Sequence, residues 1–194
     1  MTQTSVKLSF DEYLTYDDGT DNRYELVDGE LVMVPLPTGE HSDAIDLLSD
    51  IFKAEITKQQ QPWIVKRDVG VYIGINPDSG KERSRTPDLC IMTTAQWAVV
   101  KAEKTKAAVL RSAPLLVVEV VSPSSKKTDY QAKEQEYRTI GIPEYWIVDL
   151  RKAEVSVLLL VDGGYQSTEF KGTELIVSRT FSQLNLTAQQ VLTA

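Results

Sequence analysis

Four apolar residues, Leu115-Leu116-Val117-Val118, and two more, Val120-Val121, are separated by one carboxylate, Glu119. A short apolar run rich in β-branched residues and bounded by turn signals predicts a strand buried on both faces. Ser122-Pro123-Ser124-Ser125 ends it with turn chemistry, and a helix is expected from about Lys126 to Ile140, stopped by Gly141. Glu144 to Asp149 predicts another buried strand. Strand, helix and strand in that order form a crossover, which implies a parallel pair and therefore a mixed sheet.

Upstream, Ser9 and Glu12 have the spacing of a capping box, so a short helix through about Tyr16 is expected. Arg23–Val27 and Glu30–Val34 flank Asp28-Gly29, a hairpin signal. Ala44, Ile45, Leu48, Ile51 and Phe52 form the stripe of a helix running from His41 to about Gln59, with Glu55 projecting from the same stripe. Trp63 to Ile75 reads as one long extended stretch that Gly70 bulges or bends. After the turn Asn76–Gly80, Thr86 to Met92 predicts a short strand with Pro87 at its start. Thr93 or Thr94 caps a helix through Val100, and Lys101 to Lys106 reads as a charged turn. Glu154–Val161 and Tyr165–Phe170 flank Asp162-Gly163-Gly164 as a second hairpin. The remaining chain alternates short strand and turn before a short helix from Thr187 to Leu192.

The class is α/β (α+β): helices cover a mixed β-sheet core, with extra hairpins toward both ends. At 194 residues and 42% hydrophobic content the chain buries one substantial core, and nothing in it demands a second domain. The formal net charge of −7 excludes the global basic field of an indiscriminate nucleic-acid binder. It leaves room for an enzyme that grips a phosphodiester locally, through metal ions and a few basic side chains. Lys81, Arg83 and Arg85 read most simply as a solvated turn, and otherwise as local phosphate contacts. The lone cysteine, Cys90, lies in an apolar stretch and fits a buried hydrophobe in a reducing compartment. The first residues hold no apolar signal core and no segment approaches transmembrane length, so a soluble cytoplasmic protein is expected.

Three polar residues stand where apolar ones would be expected. Asp88 follows Pro87 at the start of a buried strand, and Glu119 sits in the middle of another. The third is Lys133. At 100° per residue, Tyr130, Lys133, Tyr137 and Ile140 share one helix face with Asp129 at its edge. Lys133 is then at the centre of the only stripe this helix can bury. An unpaired charge there is strongly unfavourable, so Glu119 and Lys133 form either a buried ion pair or parts of one site. Two acids and a lysine suit metal-dependent phosphodiester hydrolysis. The hard oxygens of Asp88 and Glu119 are ligands for Mg2+, with Mn2+ as a substitute, and a nearby lysine stabilises developing charge. His41 reads more simply as a helix-start residue than as a ligand.

Thr86-Pro-Asp88, Leu116-Val-Val-Glu119-Val-Val-Ser-Pro-Ser124, Asp129, Lys133, Tyr137 and Gly141-Ile-Pro-Glu-Tyr-Trp-Ile-Val-Asp149 resemble the Uma-two (Uma2) family. Tyr24-Glu-Leu-Val-Asp-Gly-Glu30 and the Pro37 to His41 approach to the first long helix match as well. This is a restriction-endonuclease family within the PD-(D/E)XK nuclease superfamily, and the resemblance covers roughly Tyr24 to Asp149. It implies a restriction-endonuclease-like fold, with Pro87-Asp88 as the "PD" and Glu119 as the acid of the second motif. It also implies Mg2+-dependent cleavage of DNA and a homodimer, since cutting both strands of a duplex needs two active sites. Val121 occupies the place of the motif lysine. Lys133 is similar to lysines that migrate to the following helix in some members. His41 and Glu25 resemble accessory positions near the site. Two other readings stand beside the nuclease: a catalytically silent binding module, and a hydrolase of smaller phosphoesters.

Overall fold

Two mixed sheets carry the fold. The computed structural model describes residues 7–122 and 128–194. Helix α1 (Phe10–Leu14) starts at the expected capping box of Ser9 and Glu12. Strands β1 (Tyr24–Val27) and β2 (Glu30–Met33) form the first hairpin. Asp28 and Gly29 supply the positive φ values, 51° and 77°, that its two-residue turn requires. Helix α2 (Gly39–Lys58) follows, capped by Thr38 and burying Ala44, Ile45, Leu48 and Phe52.

The stretch from Trp63 to Ile75 is two strands in different sheets rather than one. β3 (Trp63–Lys66) joins the larger sheet and β4 (Gly70–Ile75) the smaller. The chain turns at Asp68, whose φ is 58°, and the bulge falls at Gly74, where φ is 95° and the register with the next strand shifts. Gly70 serves close approach instead: a Cβ there would lie 2.9 Å from Val109 Cγ2. That next strand, β5 (Glu82–Arg85), contains most of the basic cluster expected in a solvated turn. Lys81 is exposed, Arg83 is half-buried and Arg85 is buried.

β6 (Leu89–Thr93) and α3 (Thr94–Ala102) come next, with Thr93 as the helix cap. β7 (Val109–Leu110) and β8 (Leu116–Val120) lead to a π-helical turn, Thr128–Lys133, continued by α4 (Glu134–Thr139). The turn beyond Ser122 and the expected helix start at Lys126 lie outside the described residues. β9 (Glu144–Asp149) then pairs in parallel with β8, as the crossover requires. β10 (Glu154–Val161) and β11 (Gly164–Phe170) form the second hairpin. The smaller sheet has the order β2-β1-β5-β4-β7 and the larger β11-β10-β9-β8-β6-β3.

The larger sheet is covered on both faces, which explains its near-continuous apolar strands. One face packs on α2 and on α5 (Ala188–Leu192). The other meets β4 of the smaller sheet together with Tyr137 of α4 and Trp97 of α3. Along β8 the two-residue period sends Leu116, Val118 and Val120 into the first core, and Val117 and Val121 into the second. Glu119 shares the side of Val117 and Val121, so it projects between the sheets. Val121, standing at the motif-lysine position, is a core residue.

The stretch expected to alternate strand and turn after Phe170 holds only an isolated bridge between Leu175 and Thr187. Side chains anchor it instead. Glu144 is fully buried and accepts from Trp146 Nε1, Ser178 Oγ and Thr180 N, each at 2.7 Å. Phe181 stacks on Phe52 with ring centroids 4.9 Å apart. Among the described residues no helix is long and apolar enough to cross a membrane.

Cys90 is completely buried in the second core, and burial pushes its thiol well above the usual range. The native protein is therefore expected to leave a chromogenic disulfide reagent unreacted at pH 8, and the guanidinium-unfolded chain to consume one equivalent. Fast reaction without denaturant would contradict this packing.

Candidate active site

Asp88 stands just before β6, which pairs antiparallel with β8, Leu89 lying opposite Val118. Where that ladder ends, Asp88 Oδ2 accepts the Val120 N–H at 2.7 Å. The bond ties the first acid to the strand that carries the second. Asp88 is the more open of the two, its side chain 23% exposed against 4% for Glu119.

The π-helical turn and α4 supply the partners of Glu119. Lys133 Nζ donates to Glu119 Oε2 at 2.8 Å, and the Tyr137 hydroxyl donates to Oε1 at 2.6 Å. Lys133 Nζ also lies 3.2 Å from Asp129 Oδ1 and 3.9 Å from Glu25 Oε1. Asp129, expected at the edge of the helix face, is only 1% exposed. A π turn bonds i to i+5 rather than i+4, so its residues advance around the axis differently from those of a regular α-helix. Such turns recur at functional sites.

The smaller sheet closes the cluster. Arg85 directs Nε and Nη2 to the two oxygens of Glu136, at 2.7 and 3.0 Å, and Nη1 to Glu25 at 3.0 Å. Glu25 also accepts the Thr86 N–H at 2.9 Å. Arg85 is therefore not a solvated phosphate contact. Its forked donors are committed to two buried carboxylates, the geometry that guanidinium favours. Arg83 reaches Glu136 at 3.4 Å, and its buried Nε has no hydrogen-bond partner. Lys81 stays on the surface, outside the cluster.

His41, in the first turn of α2, brings Nε2 to 3.1 Å from Asp88 Oδ1. The contact is close but not aligned as a hydrogen bond, and the buried Nε2 has no other partner. The structure thus ties Asp88 to His41 and to the backbone next to Glu119, and gathers Glu119 and Glu25 around the Lys133 ammonium. Tyr137, Asp129 and Glu136 were not among the expected site residues. Tyr137 carried a signal, being one turn beyond Lys133 on the same stripe. Glu136 carried none, because its partner Arg85 is remote in sequence.

Burial pushes the Glu119 carboxyl up, the Lys133 ammonium opposes this, and Asp129 and Asp88 add to the upward pressure. Burial pulls Lys133 down, but Glu119, Glu25 and Asp129 outweigh it and the ammonium ends raised. The two tendencies compete, since a Glu119 that kept its proton would not hold up Lys133. With three carboxylates around one ammonium, the charged lysine is the state this geometry holds. Burial and the adjacent Glu119 carboxylate keep the Tyr137 phenol un-ionised.

Among the described residues no group of three or more His, Cys, Asp or Glu side chains is arranged to hold a metal ion. Asp88 and Glu119 would offer two carboxylates, and an ion that keeps several of its waters, such as Mg2+, needs few protein ligands.

Comparison with known proteins agrees with this architecture. A solved structure, described as a "putative nuclease belonging to DUF820" from Anabaena variabilis ATCC 29413, superposes with a TM-score of 0.73. It is 19% identical, and the match covers 96% of this chain and 98% of that one. The two share a fold. No curated protein matches the chain. Residues 10–189 match the Uma2 family, described as "Putative restriction endonuclease". The match spans nearly the whole chain and both sheets, so this protein belongs to the Uma2 family.

Proposed function

We propose that this chain is a Mg2+-dependent endonuclease that hydrolyses DNA phosphodiester bonds. The observation that carries the reading is that Asp88, at the entry to β6, bonds the backbone of Val120 next to Glu119, while Lys133 donates to Glu119 itself. Membership in a family described as restriction endonucleases supports the same substrate. Asp88 and Glu119 would hold Mg2+, and Mn2+ in its place. When bound, the ion lowers the pKa of a water ligand and neutralises charge on the phosphate.

The chain's own residues define the rest. Lys133 is surrounded by acids and stays charged, so it stabilises charge and does not take the proton from water. Glu25 and the Arg85–Glu136 pair hold Lys133 and the smaller sheet in place. The exposed Lys81 and the partly exposed Arg83 would be the phosphate contacts. Together they let an acidic protein meet a polyanion locally. His41 is accessory, its Nε2 lying 3.1 Å from Asp88 Oδ1. The active form is a cytoplasmic homodimer, one single-domain chain supplying one site for each strand.

A second reading rests on one observation: both oxygens of Glu119 already have donors, as in a purely structural ion pair. On that reading the chain is a silent binding module. Cleavage of plasmid and single-stranded DNA with Mg2+, Mn2+ or a chelator separates the two. Metal-dependent nicking or linearisation is expected, and abolition by the chelator. Metal uptake without cleavage of any substrate would favour the binding module.

A further inference from the structure

The acid–acid–lysine set accounts for one oxygen of Glu119. The other is held by Tyr137, which is 0% exposed and donates to Oε1 at 2.6 Å, while Lys133 holds Oε2 at 2.8 Å. With a donor on each oxygen, the carboxylate cannot rotate about its last bond. Each oxygen keeps a free lone-pair direction, because an ionised carboxylate has about four acceptor sites. The phenol differs from the ammonium in one decisive way: it orients the carboxylate without placing a positive charge where a cation would bind.

Packing alone does not call for a hydroxyl here. Tyr137 lies in the second core among Val117, Val121 and Ile147, where a phenylalanine ring would serve. Its ring is fixed edge-on against Tyr145, with centroids 5.1 Å apart and planes at 85°. The Tyr145 hydroxyl donates to the Asp129 carbonyl at 3.0 Å, which ties the stack to the π-helical turn. Ring, turn and carboxylate are thus held as one rigid unit.

We propose that Tyr137 is a positioning residue that sets the Glu119 carboxylate for a divalent cation, an inference that rests on the metal-dependent reading above. Groups that hydrogen-bond a ligating carboxylate tune its metal, and their loss typically lowers affinity about 10-fold to 100-fold. The test is calorimetric titration of Mn2+ into the full chain, with electron paramagnetic resonance of the bound ion. Wild type, Tyr137→Phe and Tyr165→Phe are compared. Tyr165 is the matched control, because its hydroxyl donates to the Ile142 carbonyl at 2.8 Å, away from the carboxylates.

Tyr137→Phe is expected to weaken Mn2+ binding about 10-fold to 100-fold and to change the resonance of the bound ion, whereas Tyr165→Phe leaves both unchanged. Wild-type affinity in Tyr137→Phe overturns the inference and leaves the metal-dependent reading standing. A wild type that takes up no Mn2+ overturns both. If Tyr137→Phe does not fold, a fluorotyrosine placed at position 137 replaces it. Its fluorine resonance should move when Mg2+ is added, and an unmoved resonance overturns the inference.

Discussion

Lys133→Met should lower stability at pH 7 by about 3–5 kcal/mol, the usual effect of removing one partner from a buried ion pair. Methionine keeps most of the apolar stem and so isolates the charge. What remains is Glu119, Asp129 and Glu25, all buried and all within 3.9 Å of the missing ammonium. With the ammonium gone, burial and the neighbouring Asp129 charge would hold the Glu119 carboxyl still further above its unfolded pKa. A carboxyl raised in this way contributes stability below its unfolded pKa and loses it as pH rises through the folded value. The variant should therefore regain stability as pH falls from 7 to 5.

In the wild type the raised Lys133 behaves differently across that range. Its contribution is fully present below the unfolded lysine pKa, about 10.4, and is lost only as pH rises through the higher folded value. Urea denaturation at pH 7 and pH 5 checks both statements. A double variant with Glu119→Gln should be less destabilised than the sum of the two single changes, because the second removes the charge stranded by the first. Equal stability of Lys133→Met and wild type would refute this electrostatic account. Its turnover on DNA should fall about 100-fold to 1,000-fold, the range for losing one charge-stabilising donor.

Asp88→Asn should do the reverse, removing divalent-ion binding and DNA cleavage while leaving stability within about 1 kcal/mol of wild type, as for a retained hydrogen bond. The asparagine carbonyl can still accept the Val120 N–H that Asp88 accepts at 2.7 Å. Only the negative charge is lost. Asp88→Ala loses that charge-assisted bond too, and should cost about 1.5–3 kcal/mol. The pair of variants separates the structural role of Asp88, closing a ladder, from its proposed role as a ligand. Calorimetric titration of Mn2+ and thermal melts read the two roles independently. Full Mn2+ affinity in Asp88→Asn would remove Asp88 from the metal site.

Neither acid of the site is uncompensated. Glu119 has Lys133 and Tyr137, and Asp88 has the backbone of Val120. Truncating either side chain to alanine leaves donors without an acceptor.

Much of the site was legible because its parts announce themselves locally. A carboxylate inside a β-branched run is conspicuous wherever the strand lies. Asp88 after a proline at a strand start, and Lys133 on the one buriable stripe of its helix, are local signals of the same kind. Both hairpins were visible because Asp-Gly supplies the positive φ values their turns need. The regular period failed at Asp129, where the π turn changes the phase of the helix, and at Trp63–Ile75, where one extended stretch serves two sheets.

The sequence by itself determined which strands are buried, which way Glu119 faces relative to Val121, and that a lysine had to be stabilised nearby. These follow from periods of two and about 3.6 residues, which are properties of neighbouring positions. Only the tertiary structure decided that Arg85 is buried, that Glu25 and Glu136 share it, and that Tyr137 closes on Glu119. Arg85 meets Glu136 across 51 positions and Glu25 across 60. Such pairs exist because β1 and β5 are neighbours in the smaller sheet and α4 is brought beside them, and no local pattern records which elements will meet.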